Sequence, residues 1–163
     1  MIIYLKNKQT LKVDDFYFKC SIGKNGISKK KIEGDKKTPK GVFSIENLYF
    51  REDKIKNPKT NLKKIKIKKN MGWCDDIKSN KYNKLIFTNK NVGFEKLFRN
   101  DTKYDMLIPI KYNFKKPIKG LGSCIFIHLT KDYNSTAGCI ALSKNDFLIM
   151  LKLIDKNTKI AII

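Results

Sequence analysis

One histidine and a cysteine eleven positions after it are the residues of this chain best suited to do chemistry. The stretch reads Cys124-Ile-Phe-Ile-His128-Leu-Thr-Lys-Asp-Tyr-Asn-Ser-Thr136-Ala-Gly138-Cys139-Ile-Ala-Leu142. An apolar run delivers the imidazole at its end, and a polar loop of small residues follows. The cysteine then stands between a glycine and a second apolar run. A thiol attacks as its thiolate, and a neighbouring imidazole is the usual means of lowering its pKa from about 8.5. Gly138 beside it lets a substrate carbonyl approach the backbone and leaves amides free to face an oxyanion. The chemistry so encoded is nucleophilic acyl transfer, with Cys139 as nucleophile and His128 as base. The same residues also fit a plainer reading, in which Cys139 is a small packed side chain and His128 a satisfied strand-end residue. Ser123 and Ser135 are weaker nucleophiles, because no G-x-S-x-G turn surrounds either.

Other chemistries find little support. The four cysteines contain no C-x-x-C pair, and a single histidine rules out H-E-x-x-H and every two-histidine metal site. No phosphate-binding G-x-x-x-x-G-K-[ST] loop occurs, and Gly120-Leu-Gly122 is too short to hold a dinucleotide. No metal or cofactor is therefore expected. Cys20, Cys74 and Cys124 read as packed thiols.

The 163 residues carry 36 Lys or Arg against 15 Asp or Glu, a formal net charge of +21. Only Arg51 and Arg99 are arginines, although planar, two-oxygen phosphate recognition favours Arg over Lys. Lysines spread through every segment read as a solvated basic surface, and no specific nucleic-acid partner is expected. No run reaches the roughly 20 apolar residues of a membrane span. No basic segment followed by a long apolar one opens the chain, so no signal peptide is expected. The length suits one domain over 1–163. Nothing in the sequence sets an oligomeric state.

The elements that must position His128 and Cys139 are mostly strands. Ile2–Leu5, Phe16–Ile22, Val42–Ile45, Leu85–Thr88, Tyr104–Ile110, Cys124–Leu129 and Lys159–Ile163 are short, β-branched or aromatic, and separated by Gly, Pro or Asn. Lys63–Lys69 alternates Lys with Ile65 and Ile67, as a half-buried strand does. The fold class is mainly β, an antiparallel sandwich or barrel. One C-terminal helix is expected over about 143–155, capped by Ser143, with Asp146 in the first turn and Phe147, Leu151 and Ile154 on one face. A second, short helix is read over Asn91–Phe98. Arg51–Asn83 lacks a regular pattern and reads as a long excursion over the surface. Thr38-Pro39 marks a turn before the Val42 strand.

Thr136-Ala-Gly138-Cys139-Ile-Ala-Leu resembles the [S/T]-x-G-C signature of the L,D-transpeptidase catalytic domain (YkuD-like) family, with His128 in the place of its upstream histidine. Glu33-Gly34-Asp35-Lys-Lys-Thr38-Pro39-Lys-Gly41 is similar to that family's GD-x-x-TP-x-G segment. Gly72-Trp73-Cys74-Asp75-Asp76 with Tyr82-Asn83 resembles a stretch of its compact, single-domain branch. The resemblance implies a cysteine-dependent acyl transfer on peptidoglycan stem peptides without cofactor or metal. Cys139 would form the thioester and His128 would be the base, its ring oriented by the carbonyl of Leu129. Gly138 and Thr136 would support the oxyanion site, and Trp73, Asp75 and Tyr133 would line the substrate groove. Two positions depart from the pattern: Leu129 stands where most members have Gly, and Ala141 where most have Arg. Resolution of the thioester by an amine gives a 3→3 cross-link, and by water a carboxypeptidase. A basic polyanion-binding module without catalysis is the alternative outside enzymology.

Overall fold

The structure is a computed structural model that describes residues 1–88 and 91–163. In chain order its strands are β1 (Ile2–Asn7), β2 (Thr10–Val13), β3 (Phe16–Ser21), β4 (Ile27–Ser28), β5 (Thr38–Pro39), β6 (Gly41–Ser44), β7 (Leu48–Phe50) and β8 (Lys64–Lys66). There follow β9 (Met71–Cys74), β10 (Leu85–Phe87), β11 (Phe94–Lys96), β12 (Met106–Pro109), β13 (Phe126–Leu129), β14 (Ile140–Leu142), the helix α1 (Lys144–Leu153) and β15 (Lys159–Ile162). Ten strands form one curled sheet in the order β6-β15-β1-β2-β3-β14-β13-β12-β7-β8. A second sheet has the order β10-β9-β11, and β4 pairs with β5. The fold is mainly β with one helix among the described residues, as the sequence implies.

Period-two alternation explains the first strands. Ile3 and Leu5 of β1 and Leu11 and Val13 of β2 point inward, while Ile2, Tyr4 and Lys6 face out. The central strands β12, β13 and β14 are buried at every position and therefore read as unbroken apolar runs. Their alternate side chains feed two cores. Ile108, Ile127 and Leu129 join the core that α1 closes with Phe147, Met150 and Leu151. Leu107, Phe126 and Cys139 join another, with Trp73, Leu97 and Tyr104. The second sheet lies over that face. Because His128 shares the parity of Phe126, it too is directed to the second-sheet side.

Three expectations are corrected here. Residues 94–96 form β11, antiparallel to β9 with Glu95 opposite Trp73, instead of the short helix read over 91–98. Strand pairing with β9 overrides a weak helical pattern already interrupted by Gly93. The 51–83 segment is no surface excursion throughout, since Met71, Trp73 and Cys74 are buried at the centre of the second sheet. A fully buried four-residue strand shows no alternation to read, and Gly72 is needed within it because a Cβ there meets Phe94 at 2.5 Å. The large sheet is also mixed, with β1–β15, β7–β8 and β13–β14 parallel.

Helix α1 begins as expected. The Ser143 hydroxyl accepts the Asp146 amide at 3.1 Å, and Ile154 closes the far end, fully buried.

Candidate functional site

The parallel pairing of β13 with β14 decides where the two reactive side chains lie. His128 is in register with Ala141, two residues beyond Cys139. The chain leaves β13 at Leu129, runs back along it, and re-enters beside its start, so Cys139 comes to Phe126. The Phe126 amide donates to the Cys139 sulfur at 3.3 Å, and the thiol donates to the Cys124 carbonyl at 3.1 Å. His128 and Cys139 line one cavity of about 360 Å3, within the size range of small-molecule sites.

His128 is buried, and its Nδ1 lies 2.9 Å from the Leu129 carbonyl. A carbonyl only accepts, so Nδ1 carries the proton and Nε2 is the basic nitrogen. The Tyr104 ring meets the imidazole edge-on at 5.3 Å. Burial lowers the His128 pKa to about 4, helped by Lys103 and Arg99 and opposed by the Leu129 hydrogen bond. The ring is therefore neutral at ordinary pH.

Cys139 behaves otherwise than a thiol beside an imidazole is expected to. Burial pushes its pKa far up, the Glu95 carboxylate adds to the rise, and the Phe126 amide and Lys31 partly oppose it. The described residues show no hydrogen bond between its sulfur and His128. At rest the pair is a neutral thiol and a neutral imidazole.

The turn into Cys139 is fastened from several sides. The Thr136 hydroxyl accepts the Gly138 amide at 3.1 Å and donates to the Cys139 carbonyl at 2.6 Å. Gly138 has φ 137°, and a Cβ there meets the Lys37 carbonyl at 2.8 Å. The Gly138 amide is thus engaged inside the turn and not presented to the cavity, so its contribution, like that of Thr136, is to hold the backbone. Buried Thr38 joins this turn to the segment around Asp35. Its hydroxyl donates to the Gly138 carbonyl at 2.9 Å and accepts the Gly23 amide at 2.9 Å. Thr38→Val leaves both groups buried without a partner and lowers stability by about 2–4 kcal/mol, read from urea unfolding midpoints.

Asp35 organises the neighbouring loop. It accepts from Lys31 Nζ at 2.5 Å and from the Lys37 and Ile32 amides. Lys31, only 6% exposed, is thereby held on the cavity wall. Glu33 accepts the Ser123 hydroxyl at 2.8 Å and the Tyr82 hydroxyl.

Among the residues expected in the groove, Asp75 lines the cavity, and burial raises its pKa. Trp73 does not line it. Its Nε1 donates to Asn83 Oδ1 at 2.9 Å, the Cys124 amide donates to the same oxygen at 3.2 Å, and the indole packs edge-on against Phe126 at 5.3 Å. It is a seam residue between the sheets and borders a separate cavity with Tyr49 and Phe114. The Tyr133 ring lies under Lys19 Nζ at 4.5 Å, also away from the site cavity.

Sequence reasoning missed Glu95 and Tyr104. Both line the cavity, and the Tyr104 hydroxyl donates to Glu95 Oε1. No motif marks either, and β11 reaches the site only through its pairing with β9. Also on the wall is Arg99, held by Asp101 and lying 5.1 Å over the Tyr104 ring. The described residues include no group of His, Cys, Asp and Glu arranged to hold a metal ion. They also contain no helix long and apolar enough to cross a membrane.

The buried imidazole gives a pH-dependent stability. The folded pKa lies below the unfolded value of 6.5, so its contribution is intact above that pH and is lost as pH falls towards about 4. Melting temperatures are expected to fall across that window by the equivalent of about 3 kcal/mol. In His128→Gln the fall is shallower.

A family model described as the L,D-transpeptidase catalytic domain, YkuD, matches residues 1–162. No curated protein matches the chain. Two similar solved structures are those of the helical cell shape determining protein Pgp2 from Campylobacter jejuni and of a point mutant of it. Each is 18% identical with a TM-score of 0.48 and covers 99% of this chain. This chain spans 46% and 45% of their lengths, less than half of those proteins.

Proposed function

The chain belongs to the YkuD family of L,D-transpeptidase catalytic domains, and from that premise we propose that it transfers acyl groups of peptidoglycan stem peptides through a Cys139 thioester. The observation that carries this reading is the shared cavity of Cys139 and His128, with the imidazole tautomer set by Leu129.

The steps follow from the atoms present. Substrate in the cavity brings its amide carbonyl to the sulfur. His128 Nε2 takes the thiol proton as the S–C bond forms and negative charge gathers on the substrate's carbonyl oxygen. The C–N bond then breaks, and the departing amine takes the proton back from the imidazolium. An acceptor amine or water next attacks the thioester and gives its proton to Nε2, and the sulfur departs and is reprotonated. A neutral base with a pKa near 4 is weak, but so positioned it works at the moment of attack, where proton transfer contributes typically 10²–10⁴-fold.

Incubation of the purified protein with a stem tetrapeptide, with and without an acceptor amine, tests the reading. Mass spectrometry is expected to show loss of the terminal D-alanine and a transient acyl-enzyme. Consumption of the amine identifies transfer, and its persistence identifies hydrolysis. Unchanged tetrapeptide with no adduct refutes the proposal.

A further inference from the structure

The cavity holds a carboxyl group that acyl transfer does not use. Glu95 stands on β11 with its carboxyl in the same cavity as the Cys139 sulfur. The second sheet brings it there, because Glu95 is opposite Trp73 and Trp73 packs on Phe126, whose amide holds that sulfur. Its neighbours tie it to both reactive residues. Tyr104 donates to Glu95 and sets its ring against His128. Cys124, on the same wall, accepts the Cys139 thiol on its carbonyl.

A carboxylate so placed opposes a second negative charge on the sulfur. Several titratable groups share the cavity with Cys139. Lys31 from the Asp35 loop favours the thiolate, and Glu95 from β11 disfavours it. Tyr104, from the loop before β12, and Cys124, from the approach to β13, are coupled to both acidic groups. His128 lies on β13, and the wall also carries Glu33, Asp75, Arg99, Lys103 and Asp132. Burial is the larger cause of the raised Cys139 pKa, and the Glu95 carboxylate adds to it; burial also raises the Glu95 pKa, while the Tyr104 donor and Arg99 favour its ionised form.

We propose that Glu95, held by Tyr104, is a positioning residue whose charge, added to the enclosure of the sulfur, holds Cys139 as an unreactive thiol until substrate enters. A substrate that displaces or neutralises this charge releases the nucleophile. The inference rests on the reading of Cys139 as nucleophile, yet it concerns the resting protein and can be tested without substrate.

The test is the rate of Cys139 alkylation by iodoacetamide between pH 5 and 9, located by peptide mass mapping, in the wild type, Glu95→Gln and Glu95→Asp. In Glu95→Gln the rate at pH 8 is expected to rise at least tenfold and to change tenfold per pH unit throughout. In the wild type the dependence is shallower across the acid window in which Glu95 takes up a proton, because protonation lifts the opposition to the thiolate as hydroxide falls. Glu95→Asp keeps the wild-type curve. Tyr104→Phe retains the ring against His128 but removes the donor that keeps Glu95 ionised, and moves the rate in the same direction by less. Should Glu95→Gln fail to fold, the curvature of the wild-type profile and the Tyr104→Phe shift decide alone.

Equal or slower alkylation in Glu95→Gln overturns the proposal. So does a gain matched by faster hydrogen exchange at the Phe126 amide, which reports loosening around the sulfur instead of a lost charge. Failure to label Cys139 in Glu95→Gln also overturns it. The tetrapeptide reaction is read separately, so an absent acyl-enzyme beside a shifted alkylation profile removes the proposed reaction and leaves this inference standing.

Discussion

Cys139→Ala is expected to form no acyl adduct with a stem tetrapeptide or a carbapenem-type acylating agent, and to lose turnover by a factor on the order of 10⁴–10⁶. No other group takes over its role. Ser123 is committed to Glu33, and Ser135 has no base fastened beside it. The substitution removes one sulfur atom from a buried turn, along with its bonds to Phe126 and Cys124, and the turn retains its Thr38 and Thr136 clasps. The fold should therefore survive, at a cost of about 1–2 kcal/mol. Intact-mass measurement on protein with wild-type circular dichroism is the check. An adduct of the same mass on Cys139→Ala eliminates this residue as the nucleophile.

The second large effect falls on the base. His128→Ala is expected to reduce kcat/KM by about 10²–10⁴-fold. It also removes a pH dependence. The base acts unprotonated, so wild-type activity is lost as pH falls through about 4, while the alanine variant shows no imidazole limb. The effect is large because the ring is oriented at both ends of its environment. Leu129 fixes the proton on Nδ1, and Tyr104 holds the ring edge. A profile whose acid limb is identical in the two proteins assigns that limb to another group and ends the case for His128.

The parts of this molecule visible in its sequence are those set by local rules. The outward Tyr4 and Lys6 against inward Ile3 and Leu5 spell a strand. The Ser143 cap and the apolar spacing after it spell a helix. The separation of His128 from Cys139 by one small-residue loop also makes their proximity readable, although the parallel hand of that return is not. Pairings made at a distance stay hidden. Met71–Cys74 and Phe94–Lys96 acquire their strand character from each other, across a segment with no shared period. Glu95 enters the cavity only through that pairing. Trp73 shows the reverse error. An aromatic followed by two carboxylates suggests a groove wall, yet Asn83 draws its indole nitrogen inward and the ring closes the seam. The raised pKa of Cys139 is likewise a property of enclosure, which residue type does not encode.

The placement of the sole tryptophan at that seam gives refolding two separate optical readouts. Far-ultraviolet ellipticity follows assembly of the ten-strand layer, whereas indole emission follows the arrival of the three-strand layer upon it. Since β11 travels with the latter, fluorescence recovery and the disappearance of thiol reactivity at position 139 should share one rate constant.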